Sequence, residues 1–408
     1  MENNLRKNTI WNTIGITFNS FNSLFFLIII NRINGVDIAG IFSFAFSVAC
    51  LLFIVGIYSG RTFQVSDTKE ELNDKEYLTH KCITCAMMMI LCVLFVVIRG
   101  YSMEKNLIII ILCLYKCLEA FDETLYAYLQ KHNELHIVGK SLFFKSIVGI
   151  VLFGISDYLT HNIVIACVIL TLNSLAFVIF YDIRKSFGYS QNGTVQMDRV
   201  LRLFKTGFSV FAFSFLAVYI VNIPKYVIDV LLSDSFQTIF GIIVMPGTVM
   251  SLCGQYILAP MLTEIVECYN LKNYGKFKKI INKIVMILLA LGVIVEIGAA
   301  LLGIPVLSLV YAIDLKAYKL DLLCIIFGAI LYAVAGVYST ALITMRKNNM
   351  QLAIYLADSV AGVIVCYALI SVWGIHGATA GYVVTMMLHG LLYWIYYAIE
   401  YRKMAKGC

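Results

Sequence analysis

Charge is what this sequence has least of. Among its 408 residues, 13% are Asp, Glu, Lys or Arg and 61% are hydrophobic. A soluble domain is nearer 25% charged and about 45–50% apolar, so most of this surface is predicted to face lipid. Catalytic signatures are scarce too. Gly139-Lys140-Ser141 has the end of a P-loop, but Glu134 stands where its first glycine belongs, which argues against ATP hydrolysis. His132 and His136 alone among the six histidines have i, i+4 spacing; they fall in a predicted loop, with Asn133 where a zinc-protease helix needs Glu. There is no G-x-S-x-G. Prolines number four (Pro224, Pro246, Pro260, Pro305), all in the second half. Most of the twelve cysteines lie in apolar runs and read as small hydrophobes. Cys82 and Cys85 form a C-x-x-C with no second ligand pair, which argues against a metal or redox centre. The sequon Asn192-Gly193-Thr194 falls in a predicted inside loop and reads as chance.

What is there is a series of apolar runs. Met1–Asn8 is short and polar, and the run after it is too long for a signal peptide, so the first span reads as an uncleaved anchor. Twelve runs follow one another: 9–31, 38–60, 81–99, 106–129, 138–157, 162–183, 205–223, 237–262, 281–303, 320–344, 350–372 and 377–399. A span needs roughly 20 apolar residues. Runs this long and continuous predict helices rather than barrel strands. With the N-terminus inside, 23 of the 31 basic residues fall in inside segments and 6 in outside ones. That asymmetry predicts an even number of spans with both termini cytoplasmic. The net charge of +7 therefore reads as membrane orientation, not as a nucleic-acid face.

The two halves echo each other. The fourth span ends Leu129-Gln130-Lys131-His132-Asn133 and the tenth Met345-Arg346-Lys347-Asn348-Asn349. Asp37 precedes Gly40-Ile41-Phe42 in the second span, as Asp234 precedes Phe240-Gly241-Ile242 in the eighth. We expect a six-helix lobe over 1–185, a basic linker over 186–204 and a second six-helix lobe over 205–408. Repeated halves are common in transporters.

The fourth span carries four ionisable groups. At about 100° per residue, Lys116, Glu119, Asp122, Glu123, Tyr126 and Gln130 share an arc of about 120°. Each charge costs roughly 2.5–3.5 kcal/mol at the bilayer centre, so that face is predicted to look into the bundle. It reads either as the wall of a polar cavity, for substrate or coupling ion, or as a structural ion-pair network. Lys116 and Glu119 can pair at i, i+3. In the first span Asn12, Asn19 and Ser23 form a stripe that either touches substrate or bonds neighbouring helices. Lys145 lies mid-span. Arg32, Arg61, Lys225 and Arg346 stand near boundaries, as compensating cations for a phosphate or as snorkelling anchors. Tyr393, Trp394, Tyr396, Tyr397 and Tyr401 read as an interfacial belt.

These residues resemble the polysaccharide flippases of the Wzx (O-antigen transporter) type, in the multidrug/oligosaccharidyl-lipid/polysaccharide exporter (MOP) superfamily. Three stretches carry the likeness. The first has an Asn-rich first span, Arg32-x-x-Gly35, Gly40-x-Phe42-Ser43 and Gly60-Arg61-x-x-Gln64-x-x-Asp67. The second has Tyr115-Lys116-x-x-Glu119-x-Phe121, Tyr126, Gln130-Lys131 and Gly139-Lys140-Ser141-Leu142. The third has Asn222-x-Pro224-Lys225-Tyr226-x-Ile228-Asp229, Phe240-Gly241, Met245-Pro246 and Pro260. The likeness covers most of residues 8–280 and fades after them. Asp122-Glu123 departs from the family's usual Ser-Asp, which shifts the acidic role towards Glu123, and Tyr126-Ala127 from its Tyr-Gly.

The resemblance implies an all-α, two-lobed, MATE-like transporter of about twelve helices around a central cationic cavity in the bacterial cytoplasmic membrane. Its implied cargo is a polyprenyl-pyrophosphate-linked oligosaccharide, moved by alternating access and driven by a proton or sodium gradient, with no bound cofactor. By pathway analogy, a polysaccharide polymerase and a chain-length regulator are expected partners. Two other readings compete. One is a drug or cation antiporter of the same superfamily, which would rely on acids rather than cations. The other is a membrane enzyme, for which His389 is the single histidine at depth, with no partner evident in the sequence beside it.

Overall fold

A computed structural model describes residues 2–67, 71–189 and 193–406. Met1, Lys69 and Asn192 lie outside the described residues, as do the side chains of Asn348, Asn349 and Lys406. Nearly all described residues are helical and none is in a strand, as expected where lipid offers no partner to backbone N–H and C=O groups.

The first crossing is α1 (Glu2–Ser20) and α2 (Asn22–Ile33), joined at Phe21. The second is α3 (Val36–Ile57) and α4 (Gly60–Ser66). Then come α5 (Asp74–Arg99), α6 (Met103–Lys131) and α7 (Leu135–Thr160). The sixth crossing runs from α8 (Ile163–Phe177) through a π turn (Val178–Asp182) into α9 (Ile183–Ser186). The seventh is α10 (Met197–Leu231). The eighth is α11 (Asp234–Leu258) with α12 (Leu262–Asn270), and the ninth α13 (Tyr274–Gly298) with α14 (Ile304–Tyr311). After α15 (Lys319–Thr344) comes α16 (Asn348–Lys406), which folds back at Gly374.

Ten of these stretches are long and apolar enough to cross a bilayer. One of them, Met350–Met404, contains two crossings because of the fold at Gly374. The 29-residue α6 is also long enough to cross, and its apolar run is interrupted by Lys116, Glu119, Asp122 and Glu123. Among the described residues this makes about twelve crossings, as read from the sequence, and the chain is a multi-pass membrane protein. Outward side chains such as Ile98, Leu301 and Leu309 are more than two-thirds exposed and suit a lipid surface.

Local chemistry sets the breaks. Asn73 and Glu76 form a reciprocal capping box that starts α5, and Gly100, at φ 61°, ends it. Ser102 caps α6, and Asn162 caps α8 by accepting from Val164 and Ile165. Between α3 and α4, Tyr58 and Ser59 both adopt left-handed φ (38° and 55°), which is costly for residues with a Cβ. Lys81 Nζ donates to the carbonyls of Gly56 (3.0 Å) and Ile57 (3.1 Å), and Thr84 to Gly56 (2.7 Å). These bonds satisfy carbonyls that the end of α3 leaves orphaned.

The chain divides into two compact units, Met1–Phe215 and Leu216–Cys408. The division falls inside α10, and residues 197–204 of the expected linker are already helical. In unit 1, α1 packs on α7 with backbones touching: a Cβ on Gly139 would lie 2.2 Å from the Trp11 carbonyl oxygen, and one on Gly15 2.3 Å from that of Gly139. Asn8 fastens the same corner, donating to Asn133 O (2.6 Å) and accepting from the backbone N–H of His136 (2.9 Å). In unit 2, α11, α13 and α16 pack on α15. The limbs of α16 close like a hairpin through small residues, Gly377 against Leu369, Gly381 against Cys366 and Gly362 against Thr385. That register places Asp358 opposite His389.

Candidate functional site

The charged face of α6 is turned into unit 1, and each of its charges meets a partner from a different place. Lys116 Nζ and Glu119 Oε2 pair along the helix at 2.6 Å, with the ammonium over the rings of Phe46, Tyr115 and Phe53. One turn on, Asp122 is fully buried and hydrogen-bonded by Lys145 Nζ of α7. The same ammonium lies 3.3 Å from the carboxylate of Asp182 and 3.3 Å from the Tyr126 hydroxyl, which is 3.4 Å from Ser141. Glu123, next in sequence, points elsewhere. Arg61 of α4 donates to it at 3.1 Å and, through Nε, to Gln130 at 3.0 Å, with the guanidinium over the Tyr126 ring. This network is about a quarter exposed, whereas Lys145, Asp122 and Asp182 are sealed.

Asn19 belongs to the same assembly. Its Oδ1 accepts from Asn22 (3.0 Å) and from Ser146 of α7 (3.4 Å), and Asn173 Nδ2 donates to the Lys145 carbonyl at 3.1 Å. So eight of the residues singled out in the sequence come together on α6 and its neighbours: Asn19, Arg61, Lys116, Glu119, Asp122, Glu123, Gln130 and Lys145. The remaining three cavity candidates are Arg32, Lys225 and Arg346. Arg32 ends α2 with its side chain exposed. Lys225 and Arg346 belong to unit 2, where the Lys225 carbonyl accepts from Gln237 (2.6 Å) and Arg346 is exposed in a left-handed turn at φ 59°.

Sequence reasoning missed Asp182. It closes the sixth apolar run just before Arg184 and Lys185, where an acid reads as an interfacial residue. The π turn over Val178–Asp182 carries it, and the carboxylate is fully buried. It leaves the buried triad with two acids to one base. Attraction in a dry interior repays ionic desolvation only when each charge is matched, so the triad favours binding a further positive charge over an anion.

At the rim of unit 1, Asp67 accepts the N–H groups of Glu71 (3.0 Å) and Leu72 (3.1 Å) and the Tyr77 hydroxyl (3.0 Å). Burial pushes its pKa up, but these donors and Lys131 outweigh that and hold it below the usual carboxylate range. An open cavity of 760 Å³ beside it is lined by Phe63, Asp67, Glu71, Tyr77, Arg199 and Arg202, two acids against two arginines.

Unit 2 corrects one expectation. His389 does have a partner, 31 residues away: Asp358 Oδ2 lies 2.7 Å from Nδ1, and both side chains are buried. The predicted belt is also split, since Tyr393 and Tyr397 are buried while Trp394 faces outward.

No family model matches the chain. It is similar to the capsular polysaccharide biosynthesis protein CapF of Staphylococcus aureus, 22% identical over 375 residues, covering 91% of this chain and 93% of that protein. Among solved structures it is similar to an inward-facing multidrug resistance MATE family transporter of the MOP superfamily. There the TM-score is 0.71 at 13% identity, over 98% of this chain and 99% of that one. The Vibrio cholerae MATE transporter VcmN in its bent form gives a TM-score of 0.63 at 12% identity, over 98% and 97%. The fold is therefore that of the MATE transporters.

Proposed function

We propose that this MATE-fold membrane protein is a flippase. It carries a polyprenyl-pyrophosphate-linked oligosaccharide repeat unit from the cytoplasmic to the outer leaflet of the bacterial cytoplasmic membrane, for capsule or O-antigen assembly. It works by alternating access, with both termini cytoplasmic and a proton or sodium gradient as the energy source. The observation that carries this reading is the likeness to a capsular polysaccharide biosynthesis protein along nearly the whole of both chains, on an exporter fold. The physical need is plain. A sugar head crossing unaided loses its water, and each buried polar group without a partner costs several kcal/mol. Polar groups on helices such as α6 replace that water. A membrane-embedded polymerase and a chain-length regulator are the partners this pathway calls for.

A second reading, an ion-coupled exporter of cationic drugs, is favoured by one observation. Lys116, Lys145 and Arg61 each face a carboxylate, and Lys145 faces two. The deciding experiment uses proteoliposomes holding the full chain and a fluorescent polyprenyl-pyrophosphate disaccharide. Transfer of the labelled lipid between leaflets, above that in protein-free vesicles, is expected. Transport of a cationic dye with no transfer of the lipid overturns the flippase reading.

A further inference from the structure

In unit 1 the buried carboxylates Asp122 and Asp182 share one lysine, Lys145. Unit 2 contains a different arrangement at the same kind of depth. Asp358 lies on the first limb of α16 and His389 on the second, and the hairpin register through Gly362, Cys366 and Gly381 brings them face to face. The pair is 2.7 Å apart and sealed, with Asp358 at 0% and His389 at 1% exposure. Rings close around the imidazole: Tyr332 of α15 stacks on it at 5.5 Å, Tyr355 lies at 4.9 Å and Tyr393 at 4.8 Å. Tyr393 is held in turn by the Gln351 amide oxygen (3.2 Å), which also accepts from Ser339 (2.6 Å). The second carboxylate oxygen, Asp358 Oδ1, is buried with no hydrogen-bond partner.

The titratable groups shown against the pair are those three tyrosines, from α15 and from both limbs of α16. The neighbouring α10 meets the first limb at Ile223, against Gly362, and through Tyr219, beside Cys366, one and two turns from Asp358. Lys225, Tyr226 and Asp229, further along α10, each have a partner. No described lysine or arginine forms an ion pair with Asp358. The ion-pair partner of Asp358 is therefore His389, which is charged only when protonated.

We propose that His389 and Asp358 form a proton-binding site through which a proton gradient drives the transport cycle. With the proton present, the site is a charge-matched, hydrogen-bonded pair. With it removed, a bare carboxylate faces a neutral ring in a low dielectric, which costs several kcal/mol unless water arrives. The proton is thus held while the pair is sealed and given up where the two limbs of α16 part and admit water. A ligand that binds one conformation better than the other shifts their balance by that difference, and here the ligand is the proton. The inference rests on the chain being a transporter and not on which cargo it carries.

The test has two arms, both on the full chain. In detergent, the six histidines are labelled with 15N and followed by NMR from pH 5 to pH 9, the usual range of histidine titration. The signal missing from His389→Gln is expected to titrate while the protein stays folded, with its midpoint displaced in Asp358→Asn. In proteoliposomes, an imposed pH gradient is expected to accelerate transfer of the labelled polyprenyl-pyrophosphate lipid in wild type. Asp358→Asn and His389→Gln should keep gradient-independent exchange and lose the acceleration. A His389 signal that never titrates, variants that keep the acceleration, or acceleration by sodium at constant pH each overturns the proposal. If no glycan lipid moves in wild type, the flippase reading fails alone, and the NMR titration still decides this one.

Discussion

Units 1 and 2 bury their charges by different means. In unit 1 four ionisable groups stand on one helix, and partners from α4, α7 and the π turn after α8 converge on them. In unit 2 the buried pair is assembled from two limbs of one hairpin, and its cation exists only when a histidine is protonated. In unit 1 lysine and arginine supply the cations, and the triad still holds one acid more than it has bases. A His–Asp pair matches its charge only while it holds its proton. Stability and substrate contact are therefore expected to concentrate in unit 1, and sensitivity to the proton gradient in unit 2.

The largest effect that tests this contrast is at Lys145. Replacing it with Met strands two buried carboxylates, and removing one partner of a buried ion pair costs about 3–5 kcal/mol. Thermal unfolding in detergent should show a severe loss, partly recovered in Lys145→Met/Asp122→Asn. No loss means the triad is already neutral or wet. Next is Gly139→Leu, which drives a side chain into the Trp11 backbone where α1 meets α7. Overpacking typically costs about 1–3 kcal/mol or more, read as a drop in the yield of monodisperse protein; a normal yield shows that the helices do not cross so closely.

Arg61→Ala is smaller in stability, about 1 kcal/mol or less for a partly exposed pair. It should nevertheless impair transport more than melting temperature, because Arg61, Glu123 and Gln130 are the part of the α6 network that solvent reaches. Equal loss in Arg61→Ala and Arg61→Lys, with unchanged melting, identifies the forked guanidinium geometry as the requirement. The smallest effect concerns Asp67. A carboxylate held below its unfolded pKa gives stability that is complete above the unfolded value and disappears as pH falls through the folded one. Wild type should lose more stability than Asp67→Asn on acidification below about pH 4. Parallel curves remove Asp67 from the account.

The same contrast explains what was legible in the sequence. The crossings could be read, because lipid permits little besides a continuous apolar helix, but the helices run past the apolar runs, as α10 does from 197 to 231 against a run of 205–223. The polar face of α6 was visible because its members repeat at helical spacing within 15 residues. Their partners were not, because Arg61, Lys145 and Asp182 reach α6 from three other elements. Asp358 and His389 stand 31 residues apart in different spans, and only the fold at Gly374 sets the register that joins them. Gly139-Lys140-Ser141 shows the reverse case. Read as nucleotide chemistry it failed, and the structure gives it a packing role: Gly139 lets α1 approach, and Ser141 lies beside Tyr126.

The central claim is that the cargo is a glycan on a polyprenyl pyrophosphate. The direct measurement is the amount and sidedness of glycan-loaded carrier in cells lacking this protein, complemented with wild type, Lys116→Ala or Glu123→Ala. The account predicts loaded carrier accumulating on the cytoplasmic face, cleared by wild type and not by the two variants. Normal carrier levels together with increased sensitivity to cationic drugs contradict it and make the chain a drug exporter.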